Sequence, residues 1–188
     1  LSTVSVYSVH YSIVNAVKTM IISISAGIKP SFGNVLASSD KEKSNKIFDY
    51  YELGINFISS LLFGCCMLLI GPFISVYTKG VTDTNYNQPI FAFLLCLSSF
   101  LYCIRDPYVS TVYAAGHFKQ TAKFSYFEAF VNIVLSVILV YKFGLVGIVI
   151  GTLASIVIRN FLQVVYLKDN ILERDMHKWV KGIMCSFL

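Results

Sequence analysis

Five long apolar runs constrain this sequence more than any other feature. The second run, residues 54–77, contains no charged residue, and a membrane-spanning helix needs about 20 consecutive apolar residues. The complete runs cover residues 2–28, 54–77, 89–116, 124–141 and 143–166, and another begins at about 179–188. Strands of a membrane barrel would be about half as long and would alternate in polarity, which these runs do not do. We therefore predict an all-α integral membrane protein, a polytopic bundle of about five complete transmembrane helices and the start of a sixth.

The composition agrees with a single transmembrane domain over residues 1–188. Hydrophobic residues make up 56% of the chain and charged residues 13%, against about 25% charged in a soluble domain. The first residue is Leu and the last run is short, so we expect a fragment of a longer membrane protein. The cysteines lie inside apolar runs without metal-ligand or redox spacing, so we expect small apolar fillers and no metal or cofactor. These cysteines are Cys65, Cys66, Cys96, Cys103 and Cys185.

The basic residues between the runs predict an orientation. The connections at residues 29–46, 116–123 and 168–181 together carry ten Lys and Arg, whereas those at 79–88 and 142 carry two. By the positive-inside rule the first set is cytoplasmic. This placement also explains the net charge of +5 without a nucleic-acid partner, and we expect a multi-pass protein of the cytoplasmic membrane.

Lys18 is a cation deep inside the first run. Tyr11 and Asn15 precede it at helical spacing, so the three side chains are predicted to share one helix face. Such a polar stripe is typical of a cavity wall. The alternative is a structural Lys that is paired with a neighbouring carboxylate.

Arg105, Asp106 and Pro107 interrupt the third run. Pro107 removes a helix hydrogen bond and is expected to kink the helix. Adjacent residues point about 100° apart on a helix, so Arg105 and Asp106 are not expected to pair with each other. Arg105 is a candidate for substrate contact, and the alternative is an ion pair that fixes helix packing.

Two more ionisable residues lie inside the fourth and fifth runs. Glu128 is followed by Asn132 and Ser136 at four-residue intervals. It is either an interfacial Glu that faces cytoplasmic water, or an ion-coupling site like Asp106, or a partner for an arginine. Arg159 lies two turns from the end of its run, where a long Arg can reach the headgroups. That interpretation is favoured for Arg159.

The fifth run also has a small-residue face made of Gly147, Gly151 and Ser155. Small residues at four-residue spacing let another helix approach closely. We therefore predict that Gly151 packs against a neighbouring helix.

Several segments together resemble one transporter family. Residues 23–40 read SISAGIKPSFGNVLASSD, a small-residue helix end followed by a Pro and a Gly-containing segment that ends in an acidic residue. Further matches are GPFI at 71–74, PIFA at 89–92, AAGHFKQT at 114–121, Glu128 with Asn132, and GLVG at 144–147. In order and spacing these segments resemble the polysaccharide flippases of the multidrug/oligosaccharidyl-lipid/polysaccharide exporter superfamily.

The resemblance implies a two-bundle transporter, of which this chain is most of the second bundle. Its expected partners are a lipid-linked oligosaccharide, membrane lipids and the remaining helices, and its expected action is alternating access without enzymatic chemistry. Lys18 and Arg105 are the implied contacts for an anionic head, with Tyr11 and Asn15 beside Lys18. A multidrug or cation antiporter of the same superfamily would want acidic cavity groups instead. A membrane-embedded polysaccharide polymerase usually has a long external loop, and the longest external connection here is about residues 79–88.

Overall fold

A computed structural model describes residues 2–37, 41–80 and 85–172. Within these ranges the secondary structure is α-helical, and no strand is present. The helices are α1 (Ser2–Ala37), α2 (Lys41–Tyr77), α3 (Pro89–Ile104), α4 (Asp106–Ala114), α5 (Phe118–Phe143) and α6 (Leu145–Asn170). Five helical segments are long and apolar enough to cross a membrane when α3 and α4 are taken together. The predicted all-α polytopic bundle is therefore confirmed, while the predicted sixth span at 179–188 lies outside the described residues.

The first two helices are longer than their apolar runs. α1 continues through Pro30 to Ala37, and α2 begins at Lys41. Most of residues 29–46, which the sequence interpretation treated as a connection, is therefore helical. A helix satisfies its own backbone hydrogen bonds whether or not its side chains are apolar, and Glu42 and Lys46 add an i,i+4 ion pair at 3.2 Å.

The third span is broken at Arg105, as the proline led us to expect. α3 ends at Ile104 and α4 begins at Asp106. Pro107 has no N–H to continue the helix ladder. The ladder restarts at Tyr108 and Val109, whose N–H groups donate to the Arg105 carbonyl at 3.0 and 3.2 Å.

α5 and α6 form a tight antiparallel hairpin that turns at Gly144, where φ is +56°. The glycines of α6 lie directly against α5. A Cβ atom on Gly147 would lie 2.3 Å from the Leu139 carbonyl oxygen, and one on Gly151 would lie 2.6 Å from Ser136 Oγ. Ser155 is fully buried. The side chain of Asn160 joins the hairpin to α3 by donating to the Leu101 carbonyl at 2.9 Å.

The outward surface is strongly apolar. In α5 only Thr121 is buried, and large apolar side chains such as Leu68, Val76 and Tyr141 are more than two-thirds exposed. A soluble protein rarely exposes apolar patches of such extent. This surface suits lipid, and the buried side chains lie between α1, α2, α3, α4 and α6.

Candidate functional site

A cavity of about 740 Å³ lies between α1, α4, α5 and α6. Gly33 and Ala114 also line it, so it occupies the half of the bundle near the ends of α1 and α4. Arg105 is about 13 Å from the end of α4 at 1.5 Å per residue. The charged residues that line the cavity are three cations and two carboxylates, namely Lys29, Arg105, Arg159, Asp106 and Glu128.

Glu128 of α5 bridges two arginines from different helices. Its Oε1 accepts from Arg105 Nη1 at 3.0 Å, and its Oε2 accepts from Arg159 Nη1 at 2.5 Å. The exposed fractions of the three side chains are 6% for Arg105, 13% for Arg159 and 16% for Glu128. The carboxylate is thus largely removed from solvent and shared between the α3–α4 break and α6.

Asp106 has a different set of partners on the opposite side of the break. Lys29 Nζ donates to its Oδ1 at 3.0 Å, and the hydroxyls of Ser25 and Tyr51 donate to its Oδ2, the latter at 3.4 Å. The Tyr51 hydroxyl also lies 2.5 Å from Ser25 Oγ, so its one proton is shared between Ser25 and Asp106. Asp106 therefore connects α4 to both α1 and α2.

The break in the third span explains why two adjacent residues have opposite partners. Arg105 is the single residue between α3 and α4, and Asp106 is the first residue of α4. Arg105 contacts the α5–α6 hairpin, whereas Asp106 contacts α1 and α2. As expected from helix geometry, the two do not pair with each other. The break therefore connects α1 and α2 on one side of the bundle to the α5–α6 hairpin on the other.

Lys18 lies in a second, smaller cavity of about 140 Å³, which Tyr11 and Tyr102 also line. Its Nζ lies 5.6 Å from the ring centre of Tyr11 and 5.3 Å from that of Tyr102. Within the described part of the chain it has no carboxylate within ion-pair distance. Asn15, which was predicted to bind substrate beside Lys18, lines neither cavity.

Tyr102 joins the two cavities. The centre of its ring lies 5.3 Å from Lys18 Nζ and 4.9 Å from the Arg105 guanidinium, and the residue lines both cavities. A cation near an aromatic face is attracted by the ring quadrupole. The two cations predicted to bind substrate are therefore neighbours through one aromatic ring, although they lie in separate cavities.

The contacts correct the interpretation of Arg159 and, of the three alternatives for Glu128, agree with the arginine partner. Arg159 does not extend to the headgroups, because its guanidinium is turned inward to Glu128. Glu128 is not an interfacial carboxylate in water, because it is paired with two arginines. For both residues the buried partner on another helix determines the side-chain direction.

Lys29 is a site residue that the sequence interpretation missed. It follows directly after the first apolar run and was therefore counted with the connection. Its helical position one turn after Ser25 and its place beside Pro30 become informative only when α1 is known to continue to Ala37.

The polar stripe that follows Glu128 on α5 faces α6. Asn132 Oδ1 accepts from the hydroxyls of Ser136 at 2.9 Å and of Thr152 at 3.3 Å, and Ser136 also donates to the Ile148 carbonyl. Polar side chains of this kind connect helices inside a membrane. Asn132 and Ser136 therefore hold the hairpin together, and Glu128 alone of the stripe reaches the large cavity.

The fold and the cavity together define a multi-pass α-helical membrane protein with a charged cavity between its long apolar helices. Comparison with protein-family models, curated proteins and solved structures gave no match. In the described ranges no three His, Cys, Asp or Glu side chains come together as metal ligands would.

Proposed function

We propose that this chain is part of a transporter that moves a lipid-linked oligosaccharide across the cytoplasmic membrane, holding the anionic head in the cavity around Arg105. The observation that carries the proposal is the excess of cations there. Three cations face two carboxylates, and Lys18, which lines the smaller cavity, has no carboxylate partner among the described residues. A buried cation needs a counter-charge, which an anionic substrate provides.

An amphiphilic substrate suits the position of the cavity. It lies between helices whose outward faces are apolar, so a lipid tail can remain in the bilayer while the polar head occupies the cavity. Tyr102 and Tyr113 line its wall, and each combines an apolar ring face with a hydroxyl. Such side chains are appropriate for sugar rings as well as for charge.

The same geometry disfavours a multidrug or cation antiporter. A cation substrate would need a carboxylate that is available to it. Asp106 is paired with Lys29, and Glu128 is paired with two arginines. Both carboxylates that line the cavity are therefore neutralised by the protein itself, and we propose a transporter of anionic heads, without enzymatic chemistry, over these rivals.

The test uses Arg105→Gln and Lys18→Gln in the intact protein, with Lys46→Gln as a matched control. Lys46 is 70% exposed and pairs with Glu42 on the helix surface, so its loss removes a charge without touching either cavity. We expect both cavity variants to lower the rate at which lipid-linked oligosaccharide crosses the membrane of proteoliposomes. The control should keep the wild-type rate.

Abundance and rate are measured on the same preparations. Normal abundance together with lost translocation supports the proposal. An unchanged rate per molecule in both cavity variants contradicts it, and uptake of a cationic dye that is lost in the same variants favours the antiporter.

A further inference from the structure

Of the two arginines that hold Glu128, one also contacts an aromatic ring and the other has a donor that Glu128 does not use. The Arg105 guanidinium lies 4.9 Å from the ring centre of Tyr102. Arg159 Nε is buried and has no hydrogen-bond partner among the described residues, so Glu128 uses only part of the hydrogen-bonding capacity of that guanidinium. Both groups line the large cavity. The pair is therefore a partly occupied anion site and not only a pair of counter-ions.

Glu128 has the shape of a ligand for this site. Each carboxylate oxygen accepts from a different arginine, at 3.0 and 2.5 Å. A phosphoryl group or the carboxylate of an acidic sugar presents oxygens at similar spacing, and guanidinium groups recognise such oxygens in pairs. An exogenous anion and the Glu128 carboxylate would therefore compete for the same two donors.

We propose that Arg105 and Arg159 form the anion site of the cavity and that Glu128 occupies this site when no substrate is bound. The anionic group of the substrate enters by displacing the Glu128 carboxylate, and Glu128 returns when the substrate leaves. The inference rests on the proposed function for the identity of the substrate, but not for the existence of the anion site. Glu128 is then an internal competitor that prevents weakly bound anions from occupying the cavity.

The first experiment removes the internal anion and supplies an external one. The intact protein that carries Glu128→Ala is purified. Its thermal unfolding is followed in sodium acetate, sodium pyrophosphate or sodium chloride at equal ionic strength. Acetate and pyrophosphate should raise the unfolding temperature of the variant, on the order of 3 °C at tenfold excess over the dissociation constant. Chloride should not do so, and wild type should respond less because Glu128 already occupies the site.

Asp106→Ala is the matched control, because it deletes a cavity carboxylate that has a single cationic partner among the described residues, Lys29. Its response to acetate and pyrophosphate should be smaller than that of Glu128→Ala. An equal response of both variants, or no difference from chloride, would overturn the proposal.

Glu128→Gln keeps the inference testable if the alanine variant does not fold, because Gln preserves the volume and one acceptor oxygen. Loss of the competing charge should tighten binding of inorganic pyrophosphate by at least about tenfold relative to wild type. Equal or weaker binding contradicts the proposal. Glucuronate and pyrophosphate are then compared as ligands of the site to identify the source of the anion. If glucuronate competes more strongly, the site takes a sugar carboxylate. If it competes more weakly, the site takes the phosphoryl link.

These measurements do not use transport. A protein that binds anions as described but moves no lipid-linked oligosaccharide would overturn the proposed function and leave the anion site standing. A protein that moves the oligosaccharide but shows no gain in anion binding after loss of Glu128 would overturn only the role of Glu128.

Discussion

The two sides of the α3–α4 break hold their carboxylates in different ways. On the α1–α2 side, Asp106 has one cation and two hydroxyl donors. On the α5–α6 side, Glu128 has two guanidinium partners, and no hydroxyl within hydrogen-bonding distance appears among the described residues. The first side is balanced in charge, whereas the second carries one positive charge in excess.

This difference indicates that the contacts of Asp106 serve helix packing, whereas those of Glu128 can serve anion binding. Neutral donors and a single Lys satisfy Asp106 without leaving charge, so this side is suited to join helices. A carboxylate between two arginines leaves an uncompensated cation in a largely buried place, and buried charge is costly unless it is paired. The Glu128 side is therefore the one that gains from an added anion.

The largest effect is expected from removing the Glu128 carboxylate, and removal of the Asp106 carboxylate is the comparison. Glu128→Gln leaves two buried guanidinium groups without a counter-charge and should lower the free energy of unfolding by about 3–5 kcal/mol in anion-free buffer. Asp106→Asn leaves Lys29, whose side chain is 35% exposed and can turn toward water, so a smaller loss is expected. Denaturation of both variants of the intact protein in detergent measures the comparison. Equal losses would remove the distinction between the two sides.

The next effect concerns the close packing that brings Glu128 to Arg159. In Gly147→Ala the new Cβ meets the Leu139 backbone of α5 at 2.3 Å, so α6 must move away from α5. A loss of about 1–3 kcal/mol is expected from such overpacking.

Gly64→Ala is the control for helix propensity. Gly64 is also in a helix, but beyond its chain neighbours and its own helix backbone no atom of the described residues lies within 4 Å of the added Cβ. Alanine is more favourable than glycine inside a helix by about 0.8–1.0 kcal/mol. This variant should therefore be neutral or slightly stabilised in the same denaturation measurement. A similar loss in both variants would show that the hairpin packing is not responsible.

Much of the fold could be predicted from the sequence, because apolar runs and Pro107 act locally. The five spans and the break follow from run length and from the missing proline N–H. The ends of the helices could not be predicted in the same way. Polar residues end an apolar run without ending a helix, and for this reason α1 and α2 exceed their runs and Lys29 was placed outside the helix.

The charged residues of the candidate site could be predicted from the sequence, but their ion-pair partners could not. Lys18, Arg105, Asp106 and Glu128 are conspicuous as charges inside apolar runs. Which cation meets which carboxylate depends on how the helices pack, and Arg159 shows this most clearly. Its distance from the end of the run favoured the headgroups, whereas a carboxylate 31 residues away in the chain determined its direction.

A smaller effect is expected from Lys29→Gln. Among the described residues Asp106 would lose its one cation partner but keep the hydroxyl donors of Ser25 and Tyr51. Hydrogen bonds to charged groups contribute about 1.5–3 kcal/mol each, and the partial exposure of Lys29 reduces its share, so a loss of about 1–2 kcal/mol is expected. Arg159→Gln is the comparison variant, because it removes one of the two cations of Glu128, a carboxylate about as buried as Asp106, and leaves a balanced pair with Arg105. A greater loss for Arg159→Gln than for Lys29→Gln would show that the Glu128 side has no excess charge to relieve.

The smallest effect should come from Ser25→Ala, which tests whether neutral donors hold Asp106. Ser25 is fully buried, and its hydroxyl contacts both Asp106 and Tyr51. Its loss removes one neutral donor while Tyr51 and Lys29 still reach the carboxylate, so the free energy of unfolding should fall by about 0.5–1.5 kcal/mol. Ser12→Ala is the control, because the Ser12 hydroxyl is exposed and donates only to the Ser8 carbonyl one turn earlier. If Asp106 is held mainly by charge, Ser25→Ala will match this control, and the α1–α2 side will resemble the Glu128 side more closely than its hydroxyl contacts indicate.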